Sequence, residues 1–178
     1  SGSGKTTLIN LISGILKPLS GEILIDKKNF NFGNKKWMNK IGFLSQQTYI
    51  FDDSLKTNIT LQKDKFNNET LKETIETACV NEIIEESNIS LESNLGELGS
   101  KLSVGQVQRI GIARSLYKKP QLLILDEATS ALDSKTEKMI IKNIINFCNK
   151  HEITLIMISH REFPLNYCNK VYNLETNI

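Results

Sequence analysis

The chain has 178 residues, enough for one domain with a real core or one domain with a small insert. Lys and Arg number 22 against 20 Asp and Glu, so no basic field points to nucleic acid as a partner, and none is expected. No apolar run reaches the roughly 18 residues of a membrane-spanning helix, and Cys79, Cys148 and Cys168 lie too far apart for a disulfide frame or a metal site. In chain order, Lys5 to about Leu16 predicts a helix with Leu8, Leu11, Ile12 and Ile15 on one stripe, ended by Gly14 and Pro18. "GEILID" from Gly21 predicts a short strand and "IGFLS" at Ile41–Ser45 a second. From about Ser54 to Asn88 the chain is polar with helical patches, as in a small helical subdomain. "QLLILD" and "ITLIMIS" are continuous apolar runs, the pattern of parallel strands covered on both faces. Helices are expected at about Ser103–Lys118 and Ser134–Lys150, the second opened by a Ser134-x-x-Glu137 capping box, and "KVYNLE" predicts a closing strand. Strands alternating with helices give an α/β fold: a mostly parallel sheet flanked by helices, with right-handed crossovers.

Four stretches carry chemistry. "SGSGKTT" at the start is either a flexible Gly/Ser run or the tail of a phosphate-binding loop of pattern G-x-x-x-x-G-K-[ST], with Gly4-Lys5-Thr6 in place and the first Gly ahead of residue 1. "LLILDEATSALD" sets Asp126 and Glu127 at the C-terminal tip of a buried parallel strand, where open α/β sheets bind ligands. In nucleotide hydrolases of this kind such an Asp helps hold Mg²⁺, and the next acid orients or deprotonates the attacking water. Ser103 is a good helix N-cap, and Ser103-x-x-Gln106 is itself a capping box. His160 ends the "ITLIMIS" strand, while His151 sits at a helix end, where a cation is favoured.

With "KLSVGQVQRIGIARSLYKKP" ahead of "LLILDE", the sequence resembles the ATP-binding cassette (ABC) ATPase family, exporter type, over almost its whole length. Leu102-Ser103-Val104-Gly105-Gln106 matches the family signature L-S-G-G-Q at four of five positions. The resemblance implies a truncated phosphate loop, Ser1-Gly2-Ser3-Gly4-Lys5-Thr6-Thr7, that binds ATP: backbone N–H groups at Gly2 and Gly4 surround the β-phosphate, Lys5 neutralises charge and Thr6 ligates Mg²⁺. It implies that Asp126 and Gln46 also reach Mg²⁺. It makes Glu127 the base and His160 the switch histidine at the γ-phosphate. Gln47 is a neighbouring candidate for the Gln46 role, with the register after the strand favouring Gln46. Ser103, Val104, Gly105 and Gln106 would face the nucleotide of a second ABC ATPase domain, in a homo- or heterodimer, and Asp133 of "SALD" would cross that interface. Val104 departs from the family Gly, which puts turnover rate in question.

The implied division is a nucleotide-binding core at about 1–47 and 103–178, with a helical subdomain at about 48–102. "TYIFDDSLKTNI" and "GELGSKLSVGQ" resemble exporter segments, the latter placing Glu97 against a transmembrane domain expected to be fused upstream. The implied function is ATP hydrolysis in a head-to-tail dimer that powers export, at the cytoplasmic face of a membrane such as the bacterial inner membrane. A lipid or lipid-linked oligosaccharide is the first expectation for cargo. The alternatives are a soluble ABC-type ATPase of DNA or ribosome work, or a weakly active nucleotide-binding subunit.

Overall fold

A computed structural model describes residues 4–29, 33 and 35–174. The chain runs through α1 (Lys5–Ile12), a two-strand hairpin β1 (Leu24–Ile25) and β2 (Lys28–Asn29), α2 (Lys35–Met38) and β3 (Ile41–Leu44). Three helices follow, α3 (Leu55–Thr60), α4 (Asn68–Thr77) and α5 (Val80–Glu86), then a 3-10 turn at Glu97–Gly99. The C-terminal part holds α6 (Val104–Tyr117), β4 (Leu122–Asp126), α7 (Ser134–Lys150), β5 (Thr154–Ile158) and α8 (Glu162–Leu165). The α/β expectation holds: β3, β4 and β5 form a parallel sheet in that order, Ile41 opposite Leu122 and Leu122 opposite Thr154, with helices on both faces.

Alternation along β4 decides which helix packs where. Leu122 and Ile124 point to one face, where they bury Ile9 of α1, with Ile12, Trp37, Ile41, Ile156 and Ile158 around them. Leu123 and Leu125 point to the other, into a larger core shared with α3 to α7. This corrects the expected α1 stripe. Ile9 is the buried residue, whereas Leu8 and Ile15 are exposed. The helix stops at Ile12, and Gly14 at φ 80° turns the chain, so Ile15 falls beyond it. "GEILID" is likewise a hairpin arm and not a lone strand: Asp26 and Lys27 both take positive φ (50° and 63°), as a two-residue type I′ turn requires. β4 is covered on both faces as expected, but β5 is only half-buried. Residues 170–174 form no strand; among the described residues β5 pairs with β4 alone, and without a neighbouring ladder the backbone of 170–174 has nothing to extend.

The two long helices fall where the periodicity puts them. α6 opens with the expected capping box: the Ser103 hydroxyl accepts from the Gln106 N–H at 3.2 Å, and the Gln106 side-chain Oε1 accepts from the Ser103 N–H at 3.0 Å. α7 does not use its expected box. Asp133 is the N-cap, accepting from the N–H groups of Lys135 and Thr136 at 3.0 Å each, and Glu137 turns inward to accept from Thr129 Oγ1 at 2.7 Å. A carboxylate cap preceding the serine wins because it reaches two orphan donors at once. Glycines let α6 approach β3 closely: a Cβ on Gly111 would lie 2.7 Å from side-chain atoms of Leu44 and Thr48, and one on Gly42 would strike the Ser115 carbonyl.

Two polar knots tie α3–α5 to the rest. Asn58 of α3, fully buried, donates to the carbonyls of Phe51, Asp53 and Ser54 and accepts from the Phe51 N–H at 2.9 Å. Arg114 of α6 then donates to the Asn58 and Tyr49 carbonyls at 2.6 and 2.7 Å, which joins the segment after β3 to both helices. The second knot is Glu73 of α4, which receives Lys150 at 2.6 Å and His151 at 2.8 Å from the end of α7, with Lys119 at 3.4 Å. Burial by itself pushes the Glu73 carboxyl up; hydrogen bonds from Lys150 and His151, the His151 charge and Lys119 outweigh it and hold it at about 2 against an ordinary 4.5. A depressed carboxylate stabilises the fold above its unfolded value and loses that contribution as pH falls toward its folded value. Glu73→Gln is therefore expected to flatten the loss of thermal stability between pH 4.5 and about 2, read from melting curves across that range. A variant as acid-sensitive as the wild type would remove Glu73 from this role.

Candidate active site

The site gathers at the C-terminal ends of the parallel strands, where backbone carbonyls finish and loops begin. β4 ends at Asp126, and Glu127 leaves the strand at once with φ 51°, a left-handed conformation that costs free energy at a non-glycine residue. Its N–H still reaches back to the Ile158 carbonyl of β5 at 3.1 Å, so the turn is anchored by the sheet. Its carboxylate is met from both neighbouring strands. Gln46, two residues past β3, donates its amide to Oε2 at 3.3 Å, and His160, two residues past β5, brings Nε2 to 3.1 Å from Oε1. Glu127 is partly buried and His160 mostly exposed, so the cluster lies at the surface, open to a ligand.

Asp126 has a different environment. Burial pushes its carboxyl above the usual range, the adjacent Glu127 charge adds to the rise, and Lys5 counters it. Two neighbouring carboxylates whose charge is only partly offset make a place where a cation is favoured. Lys5 opens α1, whose N-cap, Gly4, has φ 77° and supplies no side-chain cap, in contrast to the side chains of Ser54, Asn67, Ser103 and Asp133 at their helices. The first turn of α1 therefore has no side-chain cap from its N-cap residue, the kind of helix start that suits an anion, with Thr6 and Thr7 exposed beside it. Ser1, Gly2 and Ser3 lie outside the described residues.

The remaining expected residues lie apart from this cluster. Ser103 and Gln106 are occupied with each other, and Gln106 extends to Ser87 Oγ at 3.5 Å, at the end of α5. Val104 projects outward, 70% exposed, and Gly105 lies against the Ala131 carbonyl and Leu132, where an added Cβ would come within 3.3 Å of both. Asp133 caps α7 in this chain, and Glu97 is exposed on its 3-10 turn beside Leu98, itself 63% exposed. Gln47 contributes its carbonyl to the Ser45 hydroxyl at 2.7 Å, so Gln46 is the glutamine whose side chain reaches Glu127. Sequence reasoning did not single out Arg161 and Gln108, which hold the loop between β4 and α7. Their signals were slight: Arg161 directly follows His160, and Gln108 opens the Gln-Arg-x-x-Ile-Ala-Arg-x-Leu stretch that follows the signature-like segment.

A phosphate-ready helix start, a strand-end Asp-Glu pair and a glutamine and histidine converging on the Glu define a nucleotide-hydrolase type of site on a parallel α/β sheet. The profile described as ABC transporter matches residues 1–130. ABC transporter B family member 14 of Arabidopsis thaliana is 37% identical over 172 residues, 96% of this chain and 14% of that protein. A probable ABC transporter ATP-binding/permease protein of Haemophilus influenzae is 35% identical over 176 residues, 98% of this chain and 32% of its length. The alpha-hemolysin translocation ATP-binding protein HlyB of Escherichia coli O157:H7 is 37% identical over 172 residues, 96% and 24%. The solved structure of a bacterial Atm1-family ABC exporter with ATP bound superposes with a TM-score of 0.82 at 32% identity, over 91% of this chain and 28% of that one. The chain belongs to the ABC transporter family, as an ATP-binding domain of exporter type. It spans between 14% and 32% of the length of these curated relatives.

Proposed function

We propose that this domain hydrolyses ATP with Glu127 as the general base, and that two such domains closing head to tail over nucleotide drive export through a membrane domain of the same protein. The observation that carries the reading is the convergence of Gln46 and His160 on the Glu127 carboxylate at the end of β4. In this proposal the first turn of α1 holds the phosphates by its N–H groups and Lys5. Glu127 accepts a proton from the attacking water, and His160 and Gln46 hold that carboxylate and the water in line. Mg²⁺ fits the donor set: Thr6, Asp126 and Gln46 offer hard oxygens, and it would supply charge neutralisation at the phosphates.

The signature segment Ser103–Gln106 belongs, in this reading, to the nucleotide of the second domain, and Asp133 to the same interface. The helices α3–α5 form the subdomain that meets the membrane domain, with Glu97 and exposed Leu98 at its rim, at the cytoplasmic face of a membrane. Among the described residues no helix is long and apolar enough to cross a membrane. The lipid cargo expected from the sequence draws no support from the domain. A Staphylococcus aureus relative, 39% identical over 176 residues, is named a putative multidrug export protein, and HlyB is named for haemolysin translocation. The test is phosphate release by the intact protein in vesicles, with ATP and Mg²⁺ varied separately, alongside ATP-driven movement of fluorescent drug and peptide probes. Turnover that requires both and accompanies movement is expected. Turnover with no movement of any probe and no membrane association would favour a soluble ATPase.

A further inference from the structure

The loop from Thr129 to Asp133 is held by three separate elements. From α6, Gln108, buried to 4%, donates Nε2 to Ser130 Oγ at 3.2 Å and accepts the Ala131 N–H at 3.1 Å. From α7, Glu137, 3% exposed, accepts from Thr129 Oγ1 at 2.7 Å. From the loop after β5, Arg161 donates NH2 to the Ser130 carbonyl at 3.0 Å and NH1 to the Leu132 carbonyl at 3.4 Å, and pairs with Glu137 Oε2 at 2.6 Å. Arg161 directly follows His160, and its own backbone is fixed on both sides by Ser159 Oγ, which accepts the Arg161 N–H at 2.9 Å and donates to the Arg161 carbonyl at 3.1 Å.

The planar guanidinium is the one side-chain type that can address two carbonyls and a carboxylate in a fixed fork. A lysine could match the charge and not the geometry. Glu137, buried on the loop side, supplies the counter-charge, while the Arg161 side chain stays 43% exposed; the buried carboxylate is the partner that needs the pair. His160 thus hangs from a backbone segment clamped to the 129–133 loop, while its imidazole reaches Glu127 on the opposite side. We propose that Arg161 is a positioning residue: it locks the placement of His160 on Glu127 to the position of the loop carrying Asp133, so that whatever settles that loop also aligns the site. This rests on the ATPase reading above, in which that loop faces the second domain. A lone domain with the loop unsettled would then be a slow enzyme, and the docked pair a fast one.

The test measures kcat, KM and melting temperature of the intact protein. Arg161→Gln strands the buried Glu137 charge, so both kcat and melting temperature should fall. The double variant Arg161→Gln with Glu137→Gln removes that charge: the melting temperature should recover while kcat stays roughly 10- to 100-fold low at unchanged KM, the size expected for a group displaced by about 1 Å. Arg161→Lys should recover kcat only in part. Full recovery of kcat with melting temperature in the double variant overturns the inference, as does a loss confined to KM. Glu127→Gln separates the two readings. If it hydrolyses ATP like the wild type, Glu127 is not the base, and a role that works by placing His160 on Glu127 falls with it. If it is silent while the double variant runs at full rate, the positioning role alone falls.

Discussion

Glu127→Gln is expected to lower ATP turnover roughly 10²- to 10⁴-fold, the contribution typical of a positioned general base, with ATP binding retained. The substitution keeps side-chain length: the amide oxygen can still accept from Gln46, and the amide NH2 can donate to a neutral imidazole at His160, so the geometry around the φ 51° turn should survive. What disappears is the ability to take a proton from water. In the proposed reading ATP is held elsewhere, by the first turn of α1 and, through Mg²⁺, by Asp126, so binding should be untouched. The intact protein would then accumulate as an ATP-bound dimer, seen as a shift in sedimentation or size exclusion on adding Mg-ATP. Wild-type hydrolysis in this variant would sink the role assigned to Glu127.

The largest effect on stability should come from Asn58→Ala, about 3 kcal/mol or more, because it opens a buried polar network without closing any of it. Asn58 is fully buried, its amide satisfies three carbonyls, and its oxygen accepts from Phe51 N–H and, at 3.1 Å, from Arg114. Alanine removes all of these partners and leaves a cavity too polar to close by collapse. Burial already lowers the pKa of Arg114, a measure of how little water reaches it. Chemical unfolding should show a lower midpoint, and turnover should fall as well, because the same network fixes the segment that begins at Gln46. A loss below about 1 kcal/mol, the net worth of one ordinary hydrogen bond, would mean that water replaces the network.

The sequence told most where chemistry is written in adjacent residues. Asp126-Glu127 ends a fully apolar run, so the strand and its tip were legible together, and Ser103-x-x-Gln106 gave the start of α6 to the residue. It told least where a decision is made at a distance. Gln46 and Glu127 meet across 81 residues, and only the β3-β4-β5 order brings them together. The apolar stripe of α1 was assigned to Leu8, Leu11, Ile12 and Ile15, but which side of an eight-residue helix is buried depends on where the sheet lies, and that side is Ile9. At α7 two cap residues stood side by side, and local spacing favoured Ser134; the need of Arg161 and Thr129 for a buried carboxylate claims Glu137 and leaves Asp133 to cap. Over 170–174, the described part of the expected closing strand, no strand forms for want of a partner, which no residue within it could reveal.

The close seat of α6 on β3 has a mechanical meaning. At 1.5 Å per residue, the fourteen residues of α6 make a rod about 21 Å long. Gly111 and Gly42 remove the side chains that would cushion it, and Arg114 bolts its far half to the segment after β3. A rod seated this way would tilt, if it moves at all, about its bare glycine contact. A tilt of about 5° around that fulcrum, roughly 10 Å from the tip, carries Ser103 through about 1 Å, enough to make or break a hydrogen bond. In that motion the helix would act as a lever, its fulcrum against β3, the strand that leads to Gln46, and its far end at Ser103.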